Sequence, residues 1–101
     1  MSRPRYPWWG YIKAIIRRYP HMNNATGTRG KEAAAVKAAI EETRGMNAGA
    51  DRLKVVDMVF WQRTHQLSGA AVQIPCSYET AARYHREFIY CVAKHYGLMD
   101  E

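Results

Sequence analysis

The fold of this chain is decided by residues 67–96, which read LSGAAVQIPCSYETAARYHREFIYCVAKHY. Ser68 can begin a short helix, and Pro75 ends it because the residue before a proline is driven out of the helical region. Ser77 is well placed as the N-cap of a second helix, with Glu79 in the first turn, where a carboxylate suits the helix dipole. Two helices joined by so short a turn form a helix-turn-helix unit.

The second helix of this unit is predicted to be long, because its apolar stripe continues to about Tyr96 before Gly97 can end it. At 100° per residue, one side collects Ala81, Tyr84, Phe88, Cys91, Val92 and His95. The opposite arc holds Glu79, Arg83, Arg86, Glu87, Tyr90 and Lys94. We therefore expect a final helix of about five turns with one buried and one polar face.

The residues before this unit are also helical by their pattern, and strand signals are nearly absent. Trp8, Ile12, Ile15 and Tyr19 form one stripe that Pro20 ends, and a polar loop is predicted over 21–30. Helices follow over 31–44, with Gly45 as a glycine cap, and over 51–66 as the central core helix. The prediction is one all-α domain, 1–101, of four to five helices, with a basic aromatic part over 1–44 and the core helix plus helix-turn-helix over 51–97.

The composition predicts a core with few large aliphatic side chains and a positive charge that is unevenly distributed along the chain. Leu, Ile, Val and Phe together number only 17 of 101 residues, so aromatic rings and alanines must supply much of the burial. Such a core favours a second copy or another partner that shares the burial. The net charge is +6, yet residues 1–31 hold seven basic and no acidic side chains, so the excess is N-terminal and favours a polyanionic partner.

The helix-turn-helix geometry assigns candidate DNA contacts, because the first turns of its second helix reach base edges in the major groove. Arg83 could bind guanine, Glu79 could accept from cytosine N4, and Ala82 could touch a thymine methyl. The full predicted set is Ser77, Tyr78, Glu79, Ala82, Arg83, Arg86 and Lys94, of which Arg86 and Lys94 are expected at phosphates. Two interpretations remain open for four N-terminal arginines: a basic arm that contacts DNA phosphates, or a solvent-exposed face with no ligand. These residues are Arg3, Arg5, Arg17 and Arg18.

Residues 67–84 resemble the DNA-binding region 4 of bacterial sigma factors. The residues that stand at the positions of that pattern are Leu67, Ala70, Ala71, Ile74, Cys76, Ser77, Glu79, Thr80, Ala81, Arg83 and Tyr84. Pro75 departs from the glycine of that pattern, which puts the geometry of the turn in question. With Trp8-Trp9, Arg17 to Pro20 and Arg83 to Phe88, the chain is similar to small phage-encoded transcriptional regulators of the RinA/ArpU type. That resemblance implies a prophage protein that activates late phage genes by sequence-specific DNA binding.

Other functional classes find little support in the sequence. The histidines at 65, 85 and 95 are too scattered to predict a metal site, and Cys76 and Cys91 are expected to be reduced thiols packed in the fold. The Gly27–Lys31 segment lacks the spacing of a phosphate loop. No catalytic arrangement follows from spacing, so we expect no enzyme and no cofactor. Without a long apolar run or a signal peptide, we expect a cytoplasmic protein with no membrane partner.

The hypothesis is thus a regulator that binds double-stranded DNA, with RNA polymerase as a further partner and a homodimer where target sites have dyad symmetry. The aromatic N-terminal helix is the candidate dimer interface. One alternative is a protein-interaction module that binds RNA polymerase or another phage protein with little DNA contact. Another is the small subunit of a DNA-packaging machine, which would assemble into rings.

Overall fold

The last helix of the described chain organises the fold. The computed structural model describes residues 6–21, 27–62 and 77–98. Helix α4 (Tyr78–Tyr96) begins at Ser77, whose Oγ accepts the Thr80 backbone N–H at 3.1 Å. It ends at Gly97, whose φ of 100° directs its N–H back to the carbonyls of Ala93 and Lys94. Both predicted ends of this helix are confirmed, and a left-handed glycine closes it as expected.

Removal of the cap at Ser77 should have a measurable cost. Ser77→Ala leaves one N–H of the first turn without its partner, and we expect the free energy of unfolding to fall by about 1 kcal/mol. Urea denaturation followed by circular dichroism measures this change. Ser77→Asp can accept the same hydrogen bond and should keep most of the stability. Equal losses in the alanine and aspartate variants would contradict a capping role.

Helix α1 (Trp9–Arg18) lies across the others and continues as one 3-10 turn over Tyr19–His21. Ile12 and Ile15 of the predicted stripe are fully buried, as is Ile16. Trp8 and Tyr19, at the ends of the stripe, pack half-buried against the core. The predicted end before Pro20 is confirmed for the α-helix, and the chain tightens there because a proline ring hinders a continued α-helix.

Helix α2 (Gly27–Arg44) begins four residues before its predicted start at position 31. The stretch from Gly27 to Gly30 is therefore helical, and its prediction as loop was wrong. Glycines disfavour helix by only about 1 kcal/mol each, which tertiary contacts of the next turn can offset. Glu32 in that turn is 3% exposed and bonded to α1.

The turn after α2 differs from the prediction in the conformation of Gly45. Gly45 follows the last helical residue as predicted, but it does not take the left-handed conformation; that falls to Ala48, with φ 59°. Gly45 and Met46 instead donate to Glu42 and Thr43 in tight turns. Gly49 then packs so closely on the end of α2 that a Cβ would lie 2.6 Å from two carbonyl oxygens. The chain can reverse direction here because Gly49 has no side chain.

Helix α3 (Gly49–Val56) is followed directly by a π-helical segment over Asp57–Trp61. The predicted core helix is confirmed at its start, and Val55, Val56 and Phe60 are buried as expected. The wider turns are closed by the Gln62 N–H, which donates to the Asp57 carbonyl at 2.7 Å. They also bring the Trp61 indole N–H to the Ile16 carbonyl at 2.7 Å, which joins this segment to α1.

All regular structure in the described residues is helical, so the all-α prediction is confirmed at that level. Helix α4 packs on each of the other three helices, most extensively on α2. The predicted first helix of the helix-turn-helix, residues 68–74, and its turn at Pro75 lie outside the described residues. None of the helices in the described ranges combines the length and apolarity needed to cross a bilayer.

Candidate nucleic-acid interface

The first turns of α4 form an open, concave surface, which we call the α4 surface. It surrounds a depression of about 440 Å³. Its lining consists of Ser77, Tyr78, Glu79, Thr80, Ala82, Arg83 and Arg86. Every candidate DNA contact predicted on this helix except Lys94 is therefore gathered on one face, where a ligand could touch all of them together.

Helical periodicity explains why these side chains share a face. Glu79, Ala82, Arg83 and Arg86 follow the i, i+3, i+4, i+7 spacing, whereas the intervening Ala81 is fully buried. Glu79, Arg83 and Arg86 are exposed, and Ala82 is half-buried between them. These four side chains thus provide two guanidinium groups, one carboxylate and one methyl group. Together they can donate hydrogen bonds, accept hydrogen bonds and make an apolar contact.

Arg83 is positioned by its neighbour on the helix. Its guanidinium carbon lies 5.6 Å from the centroid of the buried Tyr84 ring. A guanidinium that rests on an aromatic face is favoured by the ring's negative electrostatic potential, and its N–H groups remain free to point outward in the ring plane. The Arg52 guanidinium lies closer to the same ring, at 4.7 Å, and Arg83 remains exposed with its donors accessible.

A second feature adjoins the α4 surface, and we call it the basic patch: Lys13 and Arg17 of α1 with Arg86 of α4. All three charges act on His85, and together with its burial they lower the pKa of His85 to about 4. Burial is the largest cause, so the imidazole is neutral at physiological pH. Because Arg86 belongs to both features, positive charge extends from the α4 surface onto α1.

Phe60 contacts both His85 and Arg17 of the basic patch. Its ring is stacked on the His85 imidazole, with centroids 4.9 Å apart and planes tilted by 2°. The Arg17 guanidinium carbon lies 6.0 Å from the centroid of the same ring. A neutral imidazole and a buried phenyl ring thus separate the basic groups from the core, which keeps the charges at the surface.

The remaining predicted phosphate contacts are engaged elsewhere or lie outside the described residues. Arg18 forms an ion pair with the buried Glu32, at 3.4 Å between Nη2 and Oε1. Lys94 Nζ lies 3.0 and 2.9 Å from the two carboxylate oxygens of Glu42. Arg3 and Arg5 belong to the part of the chain that is not described. Of the predicted phosphate contacts, Arg17 and Arg86 are the two whose charges act on His85.

Glu32 is the buried centre of a polar network that joins three helices. The Tyr11 hydroxyl donates to Glu32 Oε2 and lies 2.9 Å from the Tyr96 hydroxyl of α4. These two hydrogen bonds raise the pKa of Tyr11 well above its ordinary value. Lys31 caps the network, with its Nζ 4.6 Å from the centroid of the Tyr96 ring.

A cluster of aromatic rings covers the polar arc of α4 at Tyr90. Tyr6 stacks on Trp8 with ring centroids 4.8 Å apart, and the edge of Tyr90 meets Trp9 at 5.4 Å. Trp8 and Trp9 are both half-buried in this cluster. Adjacent tryptophans share this cluster because the chain is still in a turn at Trp8 and becomes helical at Trp9.

A different cluster lies near the other end of α4, where Glu42, Cys91 and His95 converge. The candidate ligand atoms of these three side chains all lie within 4.8 Å of one another. The prediction that His95 shares the buried face was wrong, because it is exposed and contacts Glu42 Oε1 at 2.9 Å. Spacing analysis between histidines missed this cluster; the signal was the i, i+4 pair formed by Cys91 and His95.

The titration of this cluster follows from its contacts. The hydrogen bonds from Lys94 keep the pKa of Glu42 below its ordinary range. Burial raises the pKa of the Cys91 thiol to about 12, with the Glu42 charge as the next cause. Cys91 is thus a protonated thiol and a poor nucleophile at physiological pH.

No protein-family model, no curated protein and no solved structure matches the chain.

Proposed function

We propose that the protein is a sequence-specific regulator that binds double-stranded DNA with the first turns of α4 in the major groove. The observation that carries the proposal is the α4 surface, because it gathers side chains of the types that distinguish base edges. In this proposal Arg83 binds guanine O6 and N7, Glu79 accepts from cytosine N4, and Ala82 contacts a thymine methyl. The proposal assigns the protein no enzymatic activity.

The basic patch supplies the contacts that position the helix. Arg86 stands one turn beyond Arg83, and Arg17 approaches from α1, so the two reach the DNA from different helices. Phosphate contacts of this kind fix the orientation of a protein on the duplex without carrying sequence information. The N–H groups of the first turn of α4 add a favourable site for a phosphate.

The resemblance to phage regulators of the RinA/ArpU type agrees with this proposal and extends it to the regulation of phage genes. A protein partner such as RNA polymerase is the competing proposal, favoured by the half-exposed aromatic cluster around Trp9. The two differ in their response to salt, because contacts with phosphates release condensed counterions and contacts with a protein do not.

Substitution of Arg17 tests the proposal through that response. Arg17→Ala should weaken binding to every duplex alike and reduce the slope of log K against log salt by about 1, because one phosphate contact is lost. Fluorescence anisotropy with a labelled random duplex at several salt concentrations measures the slope. Arg44→Ala is the matched control, because Arg44 is an exposed arginine of α2 that does not line the α4 surface.

The outcomes separate the two proposals. A steep salt dependence that Arg17→Ala reduces and Arg44→Ala leaves unchanged supports DNA binding through the basic patch. Salt-independent or absent binding to duplex DNA contradicts it and favours the protein-interaction module. Light scattering of the complex distinguishes a dimer from the ring expected of a packaging subunit.

A further inference from the structure

The cluster formed by Glu42, Cys91 and His95 has the composition and spacing of a metal site. Cys91 and His95 are four residues apart on α4, so both point to the same side of the helix, and Glu42 approaches from α2. One thiol, one imidazole nitrogen and one carboxylate oxygen are three ligands that zinc accepts in tetrahedral sites.

The three side chains already lie nearly as close to one another as the ligands of one metal ion must be. His95 Nε2 lies 2.9 Å from Glu42 Oε1, and Cys91 Sγ lies within 4.8 Å of the candidate ligand atoms of both. Tetrahedral ligands at zinc distances of about 2.0–2.3 Å stand roughly 3–4 Å apart, so small side-chain adjustments suffice. Both helices are fixed by the core, which limits the cost of ordering the ligands.

The site is accessible from a cavity that two acidic and two basic side chains line, Glu42, Glu87, Arg52 and Lys94. This cavity of about 340 Å³ opens beside Glu42 and Cys91, which gives a path to the buried sulfur and room for a water as fourth ligand. Lys94 Nζ lies 3.0 Å from Oε1 and 2.9 Å from Oε2 of Glu42, so a bound ion shares Oε1 with this ammonium. The lone pair of Oε1 that now meets His95 is the one available to the ion, and the contact with Oε2 lets Lys94 hold the carboxylate in place.

We infer that Glu42 Oε1, Cys91 Sγ and His95 Nε2 bind one Zn²⁺ ion or a similar divalent transition metal. Binding replaces the thiol proton of Cys91, which leaves to solvent, with a metal–sulfur bond, and the neutral imidazole donates its lone pair. The site joins the C-terminal half of α4 to α2, about two to three turns along the helix from Arg83. Its function is thus separate from contact with DNA.

Cobalt titration tests this site because Co²⁺ reports its ligands by absorption. The protein carries a Cys76→Ser substitution, so that Cys91 is the remaining thiol. One equivalent of Co²⁺ should produce a sulfur-to-cobalt charge-transfer band together with the intense visible bands of a tetrahedral site. Zn²⁺ should then displace Co²⁺ and remove both signals, since zinc stands above cobalt in affinity.

Ligand variants decide the assignment. Cys91→Ser should abolish the charge-transfer band, and His95→Gln should weaken Co²⁺ binding at least as much as the roughly 10- to 100-fold loss typical of an outer-shell partner. His21→Gln, at an exposed histidine, is the matched control and should bind Co²⁺ unchanged. Absence of the band in the Cys76→Ser protein, or its persistence in Cys91→Ser, overturns the proposal. Because His95 is exposed, His95→Gln decides the question even where Cys91→Ser does not fold.

Discussion

Arg83→Ala is expected to reduce discrimination between the preferred duplex and a duplex altered at one guanine by about 1–3 kcal/mol, or roughly 5- to 150-fold in relative affinity. The physical reason is the loss of a bidentate contact to guanine O6 and N7, which no neighbouring side chain of the α4 surface replaces in kind. Arg86 is one turn further along the helix and is assigned to a phosphate. Selection of duplexes from a random library supplies the preferred site, and gel-shift competition measures the ratio.

Arg83→Lys and Arg44→Ala are the controls for this experiment. Lysine keeps the charge but lacks the planar pair of donors, so it should preserve affinity for random DNA while losing discrimination. Arg44→Ala removes an equal charge from another helix and should leave the ratio unchanged. Retention of full site preference by Arg83→Ala would show that the first turns of α4 do not contact bases in the way proposed. A selection that enriches no sequence would favour the protein-interaction module instead.

The stability of the protein should fall between pH 7 and pH 5 because of His85. Its pKa is about 4 in the folded protein and near 6.5 in the unfolded chain, so the unfolded chain binds more protons between these values. The stabilisation is thus present above pH 6.5 and lost as the pH falls toward 4. We expect a loss of about 2 kcal/mol between pH 7 and pH 5, and about 3 kcal/mol in full, from this residue.

His85→Phe isolates this contribution from that of the carboxylates. Phenylalanine can keep the stack on Phe60 but cannot bind a proton, so it should flatten the decline between pH 7 and pH 5. Urea denaturation at both pH values gives the free energies of unfolding. An equally steep decline in the variant would mean that another group causes it. Protonation of His85 is unfavourable in the native protein because burial is reinforced by Lys13, Arg17 and Arg86 around the ring.

Local sequence signals predicted the described fold well wherever packing agreed with them. The ends of α4 followed from Ser77 and Gly97, because capping depends on a few neighbouring backbone groups. The buried residues Ile12, Ile15 and Phe60 followed from helical periodicity. Local signals failed at the start of α2, where Gly27 and Gly30 look unfavourable but the turn is held by contacts with α1.

The composition of the α4 surface was predictable from the same periodicity, whereas its surroundings were not. That Glu79, Ala82, Arg83 and Arg86 share a face is a local property of one helix. The placement of Arg17 and Arg86 around His85, and of Glu42 beside Cys91 and His95, depends on how separate helices pack, which spacing along one helix does not contain. For the same reason Lys94 was predicted to contact phosphates, although α2 supplies it with an acidic partner.

The central position of α4 has a consequence for synthesis. The main core draws Phe88, Ile89 and Val92 from this helix, and the Tyr11–Tyr96 contact joins residues 85 positions apart. A nascent chain that ends before residue 78 has the other three helices but lacks the surface on which all of them pack. The contacts of those three helices with one another offset only part of the chain entropy that their ordering costs before α4 emerges. We therefore expect folding to be completed when α4 is available, and until then the apolar faces of α1, α2 and α3 that pack on it are open to chaperones and proteases.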